Sequence, residues 1–291
     1  MKLKKIIVLG CLLMGFPVAL AACDIETPEN KLTENGGDNE AANEQDMSST
    51  SEDTFQKNTI EFGGIDWLVL AEEEDQALII SEYILELRPF HETADPMITW
   101  EHSTLRQYLN NDFLEQFTMD ERQRIVETTL INNDNPWFGT AAGNDTVDQV
   151  FLLSLEEVVR YFGDSGILTN PPSETMWSMI DQYGDRRIAY LHPDANINDA
   201  YTGGLPIYPG ASWMWLLRSP GGHEKHIGDS EVAYVFQRVP RLTRDEMIEI
   251  GMQENEIEAW ELEEDFSGAI DVEGIRASGP NGIRPAMWIK R

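Results

Sequence analysis

Ile60-Glu61-Phe62-Gly63-Gly64-Ile65-Asp66-Trp67-Leu68-Val69-Leu70 opens the folded part of this chain, and Ala77-Leu78-Ile79-Ile80-Ser81 follows after the polar run Glu72 to Gln76. Short runs rich in Ile, Val, Phe and Trp around a Gly-Gly pair read as strand, turn and strand, because glycine reaches the positive φ that a two-residue hairpin loop needs. The polar run turns the chain again, so a three-stranded antiparallel meander is predicted.

Helical signals follow downstream. Thr99 is predicted to cap a helix carrying Trp100, Leu105, Tyr108 and Leu109. Thr118 to Glu121, Ser154 to Glu157 and Thr243 to Glu246 each match a capping box, in which the first side chain accepts an orphan amide and the acid reaches back. Val150 to Leu153 reads as a buried strand, Gly163 as a helix stop, and Asp164 to Ser212 as long loops with one short helix near Trp177. Strands are expected at Trp213 to Leu217, Val232 to Phe236, Ala269 to Val272 and Ala286 to Ile289. Met247 to Glu261 reads as two short helices broken at Gly251. The expected class is α+β: one domain over 59–291, with a twisted antiparallel sheet, two or three helices and long loops.

Upstream, residues 24–57 are rich in Glu, Asn, Asp, Ser and Thr and nearly lack large apolar side chains. Such a segment cannot offset its ordering entropy by burial, so residues 23–58 are expected to form a disordered acidic tether. It would hold the domain about 30 Å from its anchor. Residues 1–22 read as a signal peptide: Lys2, Lys4 and Lys5 form a basic start, and Ile6 to Leu20 is apolar but short for a membrane span. Leu20-Ala21-Ala22-Cys23 then matches the bacterial lipoprotein signal, which predicts lipid attachment at Cys23 and an extracytoplasmic location on the outer face of the cytoplasmic membrane. The chain has two cysteines. Cys11 leaves with the leader and Cys23 carries the lipid, so no intrachain disulfide, thiol nucleophile or cysteine-ligated metal is expected.

Asp and Glu number 52 against 21 Lys and Arg, for a formal net charge of −31. A surface of that sign repels phosphate backbones, so nucleic acid is excluded as a partner class. Apolar residues at 41% are enough for a sizeable core.

Two segments carry a resemblance: Trp213-Met214-Trp215-Leu216-Leu217-Arg218-Ser219-Pro220-Gly221 and Gly282-Ile283-Arg284-Pro285-Ala286-Met287-Trp288. The chain resembles a family of bacterial surface proteins described only as a domain of unknown function, whose members carry Trp-Trp-Leu-Arg-Ser-Pro-Gly and Gly-Val-Arg-Pro-Ala signatures. The Trp67 strand, Trp100-Glu101 with Ser103 to Arg106, and Phe151 to Ser154 also match, over about Ile60 to Lys290. The order of pieces is similar to C-type-lectin-like folds, including sulfatase-modifying enzymes, and that similarity implies C-type-lectin-like topology. Residues 239–266 look like an insertion. The chain lacks the cysteines of such modifying enzymes and the Glu-Pro-Asn, Gln-Pro-Asp and Trp-Asn-Asp triplets of a lectin calcium site.

Arg106, Arg218 and Arg284 stand in apolar contexts and are expected to be structural, paired with acids such as Glu101, Asp66 or Asp148 rather than open to a substrate anion. His91, His102, His192, His223 and His226 are too scattered for a metal site. The loops around Asp145 and from Asp194 to Asp199 have the oxygen donors calcium uses, but neither matches an EF-hand, so no cofactor is predicted. Trp137, Trp177 and Trp260 fall outside the signature strands, where an exposed indole can stack on a sugar. Trp137, Trp177, Asp145 and Asp148 are the candidate binding residues. No catalytic residue is assigned, although Glu101, Asp145 and Asp148 are the carboxylates a glycosidase reading would use. The leading expectation is a non-catalytic surface module for glycan, peptide or another envelope protein. The alternatives are an envelope glycan hydrolase using a Glu/Asp pair and an adaptor role for the insertion.

Overall fold

A computed structural model describes residues 58–173, 176–195, 210–222, 226–236, 248, 253 and 266–291. The leader, Cys23, the tether, His223, the third capping box, Trp260 and most of the proposed insertion lie outside the described residues, as does the Asp194 to Asp199 loop beyond Ala195.

The opening meander forms as its sequence dictates. β1 (Thr59–Phe62) and β2 (Ile65–Glu72) pair antiparallel through Gly63-Gly64, whose φ values of 62° and 72° lie in the region where a Cβ is disfavoured. β3 (Gln76–Ser81) pairs antiparallel with β2. The last strand, β13 (Ala286–Lys290), returns beside β3, and the two-residue β5 (Ile125–Val126) completes a five-stranded sheet ordered β1-β2-β3-β13-β5.

The expectation of one antiparallel sheet is corrected at this point. A second, six-stranded sheet contains β4 (Glu86–Pro89), β12 (Pro280–Ile283), β9 (Trp215–Pro220), β10 (Glu231–Val235), β11 (Ile270–Arg276) and β8 (Ser178–Met179) in that order. Within it β12 meets β9 in parallel, at Gly282 and Trp215, while the other pairs are antiparallel. A hairpin of β6 (Thr128–Leu130) and β7 (Thr146–Asp148) stands apart. Pro285, between β12 and β13, marks where the chain passes from one sheet to the other: its carbonyl accepts from Ser81 N–H at 2.9 Å.

Four helices are present among the described residues: α1 (Thr104–Asn110), α2 (Met119–Arg124), α3 (Leu155–Phe162) and α4 (Gly184–Arg187). Both capping boxes within this range form, at Thr118 with Glu121 and at Ser154 with Glu157. Ser103, not Thr99, caps α1: Thr99 precedes a separate 3-10 turn at Trp100–His102, and the Ser103 side chain accepts from Arg106 N–H. Trp177 precedes β8 rather than sitting on a helix; the nearby helix is α4. Val150 to Leu153 is buried as expected but is no strand. It makes a single bridge, Phe151 to Ala286, because the Leu152 and Leu153 carbonyls are taken by Arg218.

One core joins both main sheets, with Trp67, Trp100, Trp215, Phe90, Phe151 and Phe162 fully enclosed. Each large apolar side chain so buried contributes about 1.5–3 kcal/mol. The class is therefore α+β, with sheets that are mainly antiparallel. No helix among the described residues is long and apolar enough to cross a membrane.

Candidate functional site

Five residues singled out in the sequence, Glu101, Arg106, Asp145, Asp148 and Arg218, converge on one internal network. Arg106 donates to Asp148 at 2.7 Å, to the Glu101 carbonyl at 3.0 Å and to the Val147 carbonyl at 3.4 Å. Asp148 is 2% exposed and also accepts from Trp100 Nε1 (3.0 Å) and Thr146 Oγ1 (2.7 Å). Glu101 accepts from Asn144 Nδ2 at 2.9 Å, and Asp145 from Asn132 N–H at 3.0 Å. Arg218 donates to Asn132 Oδ1, to the Leu152 and Ile131 carbonyls and, bidentately, to Glu157. Arg106 and Arg218 thus pin the two ends of the excursion between β6 and β7. Glu101, Asp145 and Asp148 are brought together; both oxygens of Asp148, and one oxygen each of Glu101 and Asp145, are engaged within the protein.

Arg284 differs. It donates to the Ser81 carbonyl at 2.9 and 3.1 Å and to the Glu82 carbonyl at 3.3 Å, while the Trp215 ring lies 4.9 Å from its guanidinium carbon. Burial pulls its pKa down to about 9, and the Glu82 charge offsets only part of that effect. The carboxylate partner expected for it is replaced by backbone carbonyls. Trp137 packs against the core and donates to the Leu168 carbonyl at 2.9 Å; Trp177 stands half exposed. Among the described residues, His91 accepts from Thr104 N–H, His192 from Asp194 N–H, and His102 is mostly exposed beside Glu101.

An open groove of about 960 Å³ lies elsewhere, between β4, α1 and the start of β12. The two walls run antiparallel, because Tyr108 Oη meets Glu86 near one end and Thr104 Oγ1 accepts from Glu92 N–H near the other. Leu87 and Leu105, both buried, line its base. Glu86 accepts from Tyr108 Oη at 2.5 Å and from Arg88 Nε at 2.8 Å, and the Arg88 guanidinium carbon sits 3.6 Å from the Tyr108 ring centre. Each side chain of this triad holds the other two, which restricts the rotamers of a long charged residue beside solvent. Burial would lower the Arg88 pKa, but the Glu86 carboxylate and Tyr108 outweigh it and raise it. Glu92, Gln107, Asn111 and Asp112 complete the rim.

Sequence reasoning passed over this site. Its signal was available: Glu86 and Arg88 are two apart, which places both on one face of a strand. Pairing them with Tyr108 needed the packing of α1 across β4.

Burial, then the hydrogen bond to Glu86, push the Tyr108 phenol up to about 12 from 10.0. The neutral phenol is the form favoured by folding, so its stabilisation is complete below pH 10 and disappears as pH rises through about 12. An alkaline titration of phenolate absorbance should show one tyrosine with that late midpoint, and Tyr108→Phe should remove it.

Comparison with curated proteins finds no match, and comparison with solved structures finds none. A family model does match, over residues 74–291, which is most of the chain and takes in both signature segments. This chain belongs to the Domain of unknown function (DUF6273) family.

Proposed function

We propose that the chain is an exported lipoprotein, anchored through Cys23, whose domain is a non-catalytic binding module for an extended, positively charged peptide segment. The groove carries this reading. Of its charged rim groups, Glu86 is spent on Arg88, while Glu92 and Asp112 have no ion-pair partner among the described residues. Two open carboxylates in a chain of net charge −31 favour a cationic ligand and repel an anionic one. The shape supports a peptide over a sugar. Arg88 covers one face of the Tyr108 ring and Phe113 packs edge-on against it, so the aromatic surface left for a sugar is reduced. β4 stands at the edge of its sheet, and α1 gives a wall about 10 Å long, which about three extended residues would span. The C-type-lectin-like course of the chain is part of the same reading. It is supported by the last strand, β13, sharing a sheet with the N-terminal meander.

Calorimetric titration with a short lysine-rich peptide, beside a glutamate-rich one of equal length, tests the groove. The basic peptide should bind and weaken as salt rises. Glu92→Gln and Asp112→Asn should each lower affinity by up to about fivefold, the equivalent of about 1 kcal/mol for a solvent-exposed pair. Equal binding of the two peptides, or an unchanged affinity in the double variant, overturns the assignment. Mass spectrometry of the mature N-terminus tests the anchor, since an unmodified Cys23 thiol contradicts it.

A further inference from the structure

Building on the peptide reading of the groove, we infer that the segment it takes has a set pattern: a basic residue, an apolar residue two positions on, and a second basic residue two positions beyond that. The central position excludes a basic side chain.

Spacing sets the two basic positions. Thr104, Tyr108 and Asp112 all line the groove and follow one another at intervals of about one helical turn, so the row rises about 12 Å from end to end. Asp112 lies just past the end of α1 and closes one end of the row. Glu92 is fixed at the other end, beside Thr104: its N–H donates to Thr104 Oγ1 at 3.1 Å, and the Thr104 N–H donates to His91 Nδ1 at 3.2 Å. The two open carboxylates therefore stand at opposite ends of one groove, with Tyr108 between them. In an extended chain, side chains on one face are about 7 Å apart at i and i+2, and about 13 Å apart at i and i+4. The longer spacing matches the row, whereas the shorter leaves one cation roughly 5 Å from its carboxylate. An odd spacing turns one of the two away, because alternate side chains point to opposite faces.

Charge sets the centre. The Arg88 guanidinium carbon lies 3.6 Å from the Tyr108 ring centre, so a fixed cation stands midway along the row. Glu86, which would otherwise attract a ligand cation there, is already bonded to Arg88 at 2.8 Å and to Tyr108 at 2.5 Å. A basic ligand side chain at this point meets a like charge, which is unfavourable across an interface. The floor of the groove is apolar. Leu87 and Leu105 are buried at its base, and Pro89 and Pro280, opposite each other on β4 and β12, also line it. Neither proline has an N–H, so that stretch offers apolar area rather than donors. An apolar side chain at the central position removes that area from water.

Calorimetry of the full mature chain with short peptides, acetylated and amidated to remove their terminal charges, tests the pattern. Lys-Ser-Leu-Ser-Lys should bind most tightly. Its isomer Lys-Ser-Lys-Leu-Ser moves one cation off its carboxylate and should bind up to about fivefold more weakly, the loss of one exposed ion pair. The isomer Lys-Leu-Ser-Ser-Lys turns leucine away from the floor and should lose about fivefold, the effect of half-burying that side chain. Lys-Ser-Lys-Ser-Lys carries an extra charge, yet should bind no more tightly than the leucine peptide. Arg88→Gln, shown to be folded by circular dichroism, removes the central cation and frees Glu86, so there the triple-lysine peptide should overtake the leucine peptide. Equal affinity of the three isomers, tightest binding of the triple-lysine peptide by the parent, or an unchanged order in folded Arg88→Gln overturns the pattern while the peptide reading of the groove stands. Failure of every basic peptide to bind the parent removes that reading and the pattern together.

Discussion

Arg218→Ala is expected to lower the unfolding free energy by about 3–5 kcal/mol, the usual cost of breaking a buried charge pair from one side. For a domain of this size that corresponds to a thermal midpoint lower by roughly 6–20 °C. Arg218 is nearly fully buried and serves three separate pieces of chain: Glu157 on α3, the Leu152 carbonyl, and the adjacent Ile131 carbonyl and Asn132 side chain. Glu157 is also the reaching acid of the α3 capping box, accepting from Ser154 N–H at 2.9 Å, so the truncation loosens a helix start as well. Arg218→Lys should recover little, because a single ammonium cannot reproduce a planar fork bonded to both oxygens of one carboxylate. Urea titration of both variants, compared at equal slope, is the measurement.

Arg284→Ala should cost a similar amount, about 3–5 kcal/mol, for a different reason. No carboxylate is lost; a large side chain packed on Trp215 and Phe162 is removed from the junction of the two sheets, leaving a cavity and depriving the Ser81 and Glu82 carbonyls of their donor. Arg284→Met separates the two contributions. It refills most of the volume and removes a charge whose burial is unfavourable, while the unpaired carbonyls still cost about 1–3 kcal/mol. The methionine variant should therefore fall between alanine and the parent. If it were no better than alanine, the hydrogen bonds would dominate; if it matched the parent, packing would.

These two arginines explain why the signature segments say so little about a ligand. In the first, Arg218 bonds Glu157, Ser219 Oγ accepts the Leu155 amide at the start of α3, and Gly221 and Gly222 lie against the Glu273 backbone. In the second, Gly282 passes close to the Met214 carbonyl and Arg284 ties β12 and β13 back to β3. Every one of these contacts closes the fold. The groove residues Glu86, Arg88 and Tyr108 lie outside both segments, as do Phe138 and Trp177.

Local chemistry determined a good deal by itself. The Gly63-Gly64 hairpin, the capping boxes at Thr118 and Ser154, the helix stop at Gly163 and the strands at 215, 231, 270 and 286 all arise from interactions spanning a few residues, which a linear pattern records. Which of Glu101, Asp66 and Asp148 each signature arginine would meet was not legible among so many acids; the fold brings Asp148 to Arg106. What only the tertiary structure decided was long-range. That the strands divide into two main sheets, that Trp137 is packed while its neighbour Phe138 is exposed, that Leu152 and Leu153 give their carbonyls to Arg218 rather than to a ladder, and that α1 lies across β4 to make a groove all depend on residues tens to hundreds of positions apart. Periodicity reports which face of an element is apolar; it carries no record of which other element that face will meet, and the groove is made at such a meeting.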